Sequence, residues 1–206
     1  MYFPEIEQKI SDNFQFAKYV SEETYRKEAK DIDIAETFGA EVSNEDLAEI
    51  KKYAQNILQV YSQRTHLESY VEIKSKQLAL NMYTLIGGQL TAKLLSQSGS
   101  FERLASFPSS TIQVLGAEKA LFRFLKGQGT SPKYGLLFQS TYVQKAHKDD
   151  RGKIARVLAS KLSLAAKLDF YKGDFMGDSL KQDMDNAMKA ASKKSALHPK
   201  DRNRKK

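Results

Sequence analysis

The side chains in this sequence best suited to chemistry are cations, and they gather in two segments: residues 108–126, PSSTIQVLGAEKALFRFLK, and residues 151–161, RGKIARVLASK. In the first, Lys119 and Arg123 stand four positions apart, so a helix puts both on one face. Leu115, Ala120 and Phe122 are then expected to pack. In the second, Arg151, Lys153 and Arg156 fall near the start of a predicted helix, where free backbone N–H groups also favour phosphate oxygens. Lys161 and Lys167 extend the positive field, and the two arginines can grip phosphate with both arms of the guanidinium. Each of these cations also has an ordinary reading as a solvated surface charge, and Glu118 one as an intramolecular ion-pair partner.

Bond-making chemistry lacks its usual tools. The 206 residues include no cysteine, so there is no thiol nucleophile, disulfide framework or thiolate zinc site. Histidines stand only at His66, His147 and His198, too scattered in sequence to suggest a metal centre. The loop at residues 127–140, GQGTSPKYGLLFQS, has Gly127 and Gly129 but not the Gly-Lys-Ser/Thr ending of a phosphate loop, which argues against nucleotide binding. No catalytic residue, cofactor or metal is therefore assigned. The first twenty residues contain Glu5, Glu7, Lys9 and Asp12, unlike a secretory signal, and no apolar run approaches the ~20 residues of a membrane span.

Charge is unevenly distributed. Residues 1–80 carry 10 basic and 15 acidic side chains, whereas residues 81–206 carry 23 and 10, so the formal net charge of +8 understates a C-terminal part at +13. Such a field favours polyanions, since Lys and Arg that neutralise phosphates release condensed counterions.

The elements that must position these cations read as helical. Ser43 and Asp46 have capping-box spacing, and Leu47, Ile50, Ala54, Ile57 and Tyr61 follow at the three-four spacing of a coiled-coil seam. That helix is expected to run into the eighties, the pattern loosening through Leu67 and Val71. Upstream, Ile6, Ile10, Phe14, Ala17, Tyr19 and Val20 form a second stripe, with the acidic residues 31–42 as the connection of an antiparallel hairpin. The same seam could instead pair two copies of the chain. Gly87 and Gly88 interrupt the pattern, as close packing or a hinge requires. The expected fold is all-α: a long antiparallel helical hairpin over residues 1–86, a compact helical domain over 87–180 and a basic, disordered tail over 181–206, most cationic from Ser192 onward.

Residues 99–123, GSFERLASFPSSTIQVLGAEKALFR, followed by PKYGLLFQS from Pro132 and RGKIARVLASKLSLAAKLD from Arg151, resemble the Nop domain family. The family includes core scaffold proteins of box C/D ribonucleoproteins and a spliceosomal relative. The likeness spans roughly residues 1–178, and GAEKALF, PKYG and RGKIAR in this order form a specific signature. It implies a non-catalytic scaffold that binds a kink-turn guide RNA together with a small kink-turn-binding protein, pairs with a second copy through its coiled coil, and supports guided 2′-O-methylation by fibrillarin. The start, MYFPEIEQKI, resembles the point where the family's fibrillarin-binding domain ends, so fibrillarin contact is expected only of a longer protein.

On this resemblance the RNA-binding candidates are Lys119, Arg123, Lys133, Gln139, Arg151, Lys153, Arg156 and Lys161. The protein-binding candidates are Gly116, Ala117 and Glu118, the two small residues allowing close approach; the hairpin or dimer candidates are Leu47, Ile50, Ile57 and Tyr61. Lys133, Tyr134 and Gln139 match the family's loop beside the RNA, where a ring or planar amide can stack on a splayed base, although members often carry histidine where Gln139 stands. Tyr134 reads equally well as a core ring. RGKIAR leans toward archaeal members, which implies the cytoplasm; a eukaryotic member would be nucleolar. The competing reading, from a different functional class, is a protein-only coiled-coil adaptor whose basic face holds an acidic partner.

Overall fold

A computed structural model describes residues 10–22 and 43–197, with side chains described as far as residue 191. Every regular element among the described residues is helical. The chain divides into two compact units, Met1–Ser69 and Tyr70–Lys206.

The first unit contains α1 (Asn13–Glu22) and most of α2 (Asn44–Leu78). The cap of α2 forms as its sequence dictates: the Asp46 N–H donates to Ser43 Oγ at 3.1 Å, and that hydroxyl donates to Asp46 Oδ2 at 2.8 Å. Along α2, Ala54 is buried and Leu47, Ile50, Ile57 and Tyr61 are half-buried. Phe14 of α1 meets Tyr61 edge-on at 5.2 Å, beside the buried Ala17 and Val20. Ile6 and the expected connection at 31–42 lie outside the described residues.

The second unit begins well before the glycine pair, and side chains of α2 explain why. Ser75 is buried and donates to the Gly88 carbonyl at 3.0 Å, while Glu72 Oε1 accepts from the Gly88 N–H at 3.2 Å. A Cβ on Gly88 would lie 2.9 Å from the Glu72 Cα, so close packing is what demands glycine here. The end of α2 thus belongs with α3 (Leu80–Ile86) and α4 (Gly88–Ser98), not with the first unit.

The core of this unit is built on α9 (Arg151–Phe170), which packs against α3, α5 (Phe101–Ser106), α6 (Ser109–Val114), α8 (Thr141–Lys145) and α10 (Gly177–Leu197). Ala155, Ala159, Ala165 and Ala166 are fully buried together with Leu158 and Leu162, so neighbouring helices approach closely on several sides. Asp169, near the end of α9, caps α3 in place of any local residue. Its Oδ1 accepts from the N–H and side-chain amide of Asn81, at 2.9 and 2.8 Å, and its Oδ2 accepts from the Met82 N–H at 2.9 Å. The Asn81 side-chain Oδ1 in turn accepts from the Met176 N–H at 2.6 Å, which ties in the start of α10.

The expected disordered tail is corrected here. Residues 181–197 continue α10, with Leu180 and Met184 buried and Met188 and Ala191 packed on the core. Helical spacing of four apolar residues outweighs the surrounding charge; residues 198–206 lie outside the description.

Candidate nucleic-acid interface

The turn carrying Gly116 and Ala117 leads from α6 into α7 (Glu118–Leu125). Gly116 has φ +83°, and a Cβ there would lie 2.7 Å from Leu136 Cγ. Its glycine is demanded by the chain's own fold, while Ala117 is half-buried. Glu118 folds back on this turn: its Oε1 accepts from the Gly116 N–H at 2.7 Å and from Gln97 Nε2, on α4, at 3.2 Å. The Gly116 bond holds the Glu118 carboxyl below the usual carboxylate range, with Gln97 adding to it.

The loop bearing PKYG is stitched to the same turn. Gly135 N–H donates to the Gln113 carbonyl at 2.9 Å, Leu136 N–H to the Leu115 carbonyl at 2.8 Å, and Gln113 Nε2 to the Lys133 carbonyl at 2.7 Å. Lys133 itself is exposed, its stem over Gly152 at the start of α9. The three motifs, separate in sequence, therefore converge: the loop touches the turn before α7 through its backbone and α9 through Lys133.

Two aromatic rings line this convergence. Tyr134, half-buried against the core, stacks on Phe138 with centroids 5.2 Å apart and planes 17° from parallel. The Arg151 guanidinium lies 5.4 Å from the centre of the Phe138 ring. Its Nε and Nη2 donate to the carbonyls of Ala146 and Gln144 at 3.3 and 3.4 Å, so Arg151 is partly engaged in holding its own loop. Gln139 is exposed, and its Oε1 accepts from Lys93 Nζ at 2.7 Å.

The remaining candidates separate clearly. Lys119, Arg123 and Arg156 are exposed and form no ion pair among the described residues. Lys153 pairs with Asp150 one turn back at 3.1 Å, a solvent-exposed contact of little energetic weight. Lys161 pairs with Asp183 of α10 at 2.5 Å, and so joins two helices. Leu47, Ile50, Ile57 and Tyr61 belong to the first unit.

One packing expectation fails. No residue of α7 is buried, and Phe122 and Leu125 are 66% and 71% exposed, with Lys126 Nζ 5.9 Å from the Phe122 ring. Leu115 does pack, at 7% exposure. Sequence reading missed Leu125, Phe138 and Lys93 as surface residues; a helical wheel of α7 would have put Leu125 beside Phe122, but nothing local marks Lys93.

The family described as "Nop: snoRNA binding domain, fibrillarin" matches residues 1–190. The chain belongs to the Nop family. Nop relatives include Nucleolar protein 58 of Debaryomyces hansenii, 36% identical over 216 residues, covering 97% of this chain and 42% of the relative. Nucleolar protein 56 of Caenorhabditis elegans is 42% identical over 146 residues, covering 70% of this chain and 30% of the relative. Among solved structures, a chain of a fibrillarin/Nop5p complex aligns with TM-score 0.54 and 27% identity over 91% of this chain and 64% of its own length. This Nop chain thus spans less than half the length of those two curated relatives.

Proposed function

We propose that this chain is a non-catalytic scaffold of a box C/D ribonucleoprotein, binding a kink-turn guide RNA together with the small protein already seated on it. The observation that carries this reading is α7. A helix with no buried residue presents Phe122 and Leu125 beside Lys119, Arg123 and Lys126, the mixed apolar and cationic surface that a joint protein and RNA contact needs. Gly116, Ala117 and Glu118 then set the angle of that helix against the small protein. Lys133, Arg156 and the partly free Arg151 and Lys153 supply phosphate contacts, and Tyr134 and Phe138 a platform for a splayed base.

Several features support the larger assembly. Tyr53, Val60 and Leu67 of α2 are one heptad apart and 70%, 63% and 59% exposed, an uncovered row suited to pairing with a second copy. The relatives are nucleolar proteins of eukaryotes, and they support a nucleolar location with a part in rRNA processing for this chain. Fibrillarin is the enzyme of that assembly, and the methyl transfer belongs to it.

Mixing the chain with kink-turn RNA, with the small kink-turn-binding protein, and with both tests the reading. A stable complex is expected only with both present. Binding to an acidic protein without RNA would favour the adaptor reading instead.

A further inference from the structure

The two converging motif turns share a neighbour outside every motif. On the exposed side of α4, Lys93 and Gln97 stand one turn apart. Gln97 reaches Glu118 at the head of α7, and Lys93 reaches Gln139 in the PKYG loop. Helix α4 therefore borders the candidate interface along its length.

The geometry of the Lys93 contact fixes what it can recognise. Lys93 Nζ donates to Gln139 Oε1 at 2.7 Å, so the acceptor of that amide is occupied and its NH2 remains to donate. An ammonium has three N–H donors and spends one here, leaving two. No carboxylate among the described residues pairs with Lys93. The exposed tip thus offers donors and a positive charge, and has turned its acceptor inward. Such a group fits an anionic oxygen and discriminates against base edges that present N–H donors.

We infer that Lys93, held by Gln139, is a further phosphate-contacting residue of this interface, and that Gln139 acts as its positioning residue rather than as a stacking amide. The inference rests on the RNA-scaffold reading and deepens it, extending the RNA footprint onto α4. A glutamine at this position keeps the lysine amine in place without neutralising it.

The test is a salt titration of the full chain on kink-turn RNA bound by its small protein, comparing wild type, Lys93→Met, Lys93→Arg and Gln139→Glu. A lost phosphate contact lowers the magnitude of the slope of log K against log salt by about one, and Lys93→Met is expected to do so while weakening binding about tenfold at moderate salt. Lys93→Arg should keep the slope. Gln139→Glu places a carboxylate against the amine and should reproduce much of the Lys93→Met loss. Weaker binding by Lys93→Met with an unchanged slope would make Lys93 structural and overturn the inference, as would wild-type affinity. Absence of binding by the wild-type chain itself would overturn the scaffold reading, and this inference with it.

Discussion

Helices α7 and α9 each carry one of the two basic motifs, yet they relate to the fold in opposite ways. Helix α9 buries eight residues, four of them alanines, and serves as the post around which the second unit is built. Helix α7 buries none and is held by its leading turn, through Gly116, Glu118 and Gln97. Cationic residues of similar type therefore have different origins. Those on α9 emerge from a helix fixed by packing, whereas those on α7 share a surface with apolar side chains that the fold itself does not use. An apolar residue that contributes nothing to the core is free to serve an interface.

The contrast can be broken most forcefully in the core. Leu158→Ala should destabilise the second unit by about 2–5 kcal/mol, read by chemical denaturation, because Leu158 is fully buried among alanines that cannot refill the space. Destabilisation of a few tenths would mean that α9 is not the post described. Asp169→Ala should cost about 1–3 kcal/mol by removing the cap of α3 and leaving its N–H groups without an acceptor. Hydrogen exchange at Asn81 and Met82 would report it locally, and unchanged protection there would disprove the cap.

Smaller effects sharpen the binding side. Arg151→Ala with Arg156→Ala should weaken assembly on the RNA–protein complex with helical content intact. Of the two singles, Arg156→Ala is expected to change the salt slope by about one, while Arg151→Ala should also lower the melting temperature by releasing the loop at Gln144 and Ala146. Identical behaviour of the two would erase the distinction between them. The smallest effect is expected from Glu118→Gln. A depressed carboxyl pKa in the folded chain means that Glu118 contributes stability above the ordinary carboxylate range and loses it as pH falls through its lowered value. The difference in melting temperature between wild type and Glu118→Gln should therefore shrink on acidification; a constant or growing difference would contradict the Gly116 contact.

Much of this was legible in the sequence where local rules decide. Ser43 and Asp46 announced the start of α2, and the seam from Leu47 to Tyr61 announced its inner face, because capping and helical period are properties of short segments. The Nop signature carried the family, and the motifs it rests on do meet in space. Residues whose surroundings are set at long range were harder to read. Phe122 looked like a core residue since nothing in its segment says that no partner helix lies opposite. Residues 181–197 looked like a tail because charge hid the spacing of Leu180, Met184, Met188 and Ala191. Lys93 was invisible, as its contact with Gln139 spans 46 positions.

The central claim, that α7 presents its apolar residues for a partner and not for the fold, is tested most directly by the double substitution Phe122→Ser with Leu125→Ser. Melting temperature and assembly on protein-bound kink-turn RNA would be measured on the same sample. An unchanged melting temperature with assembly lost is the predicted result. A melting temperature that falls as assembly is lost would return these side chains to the core, and intact assembly would remove α7 from the interface.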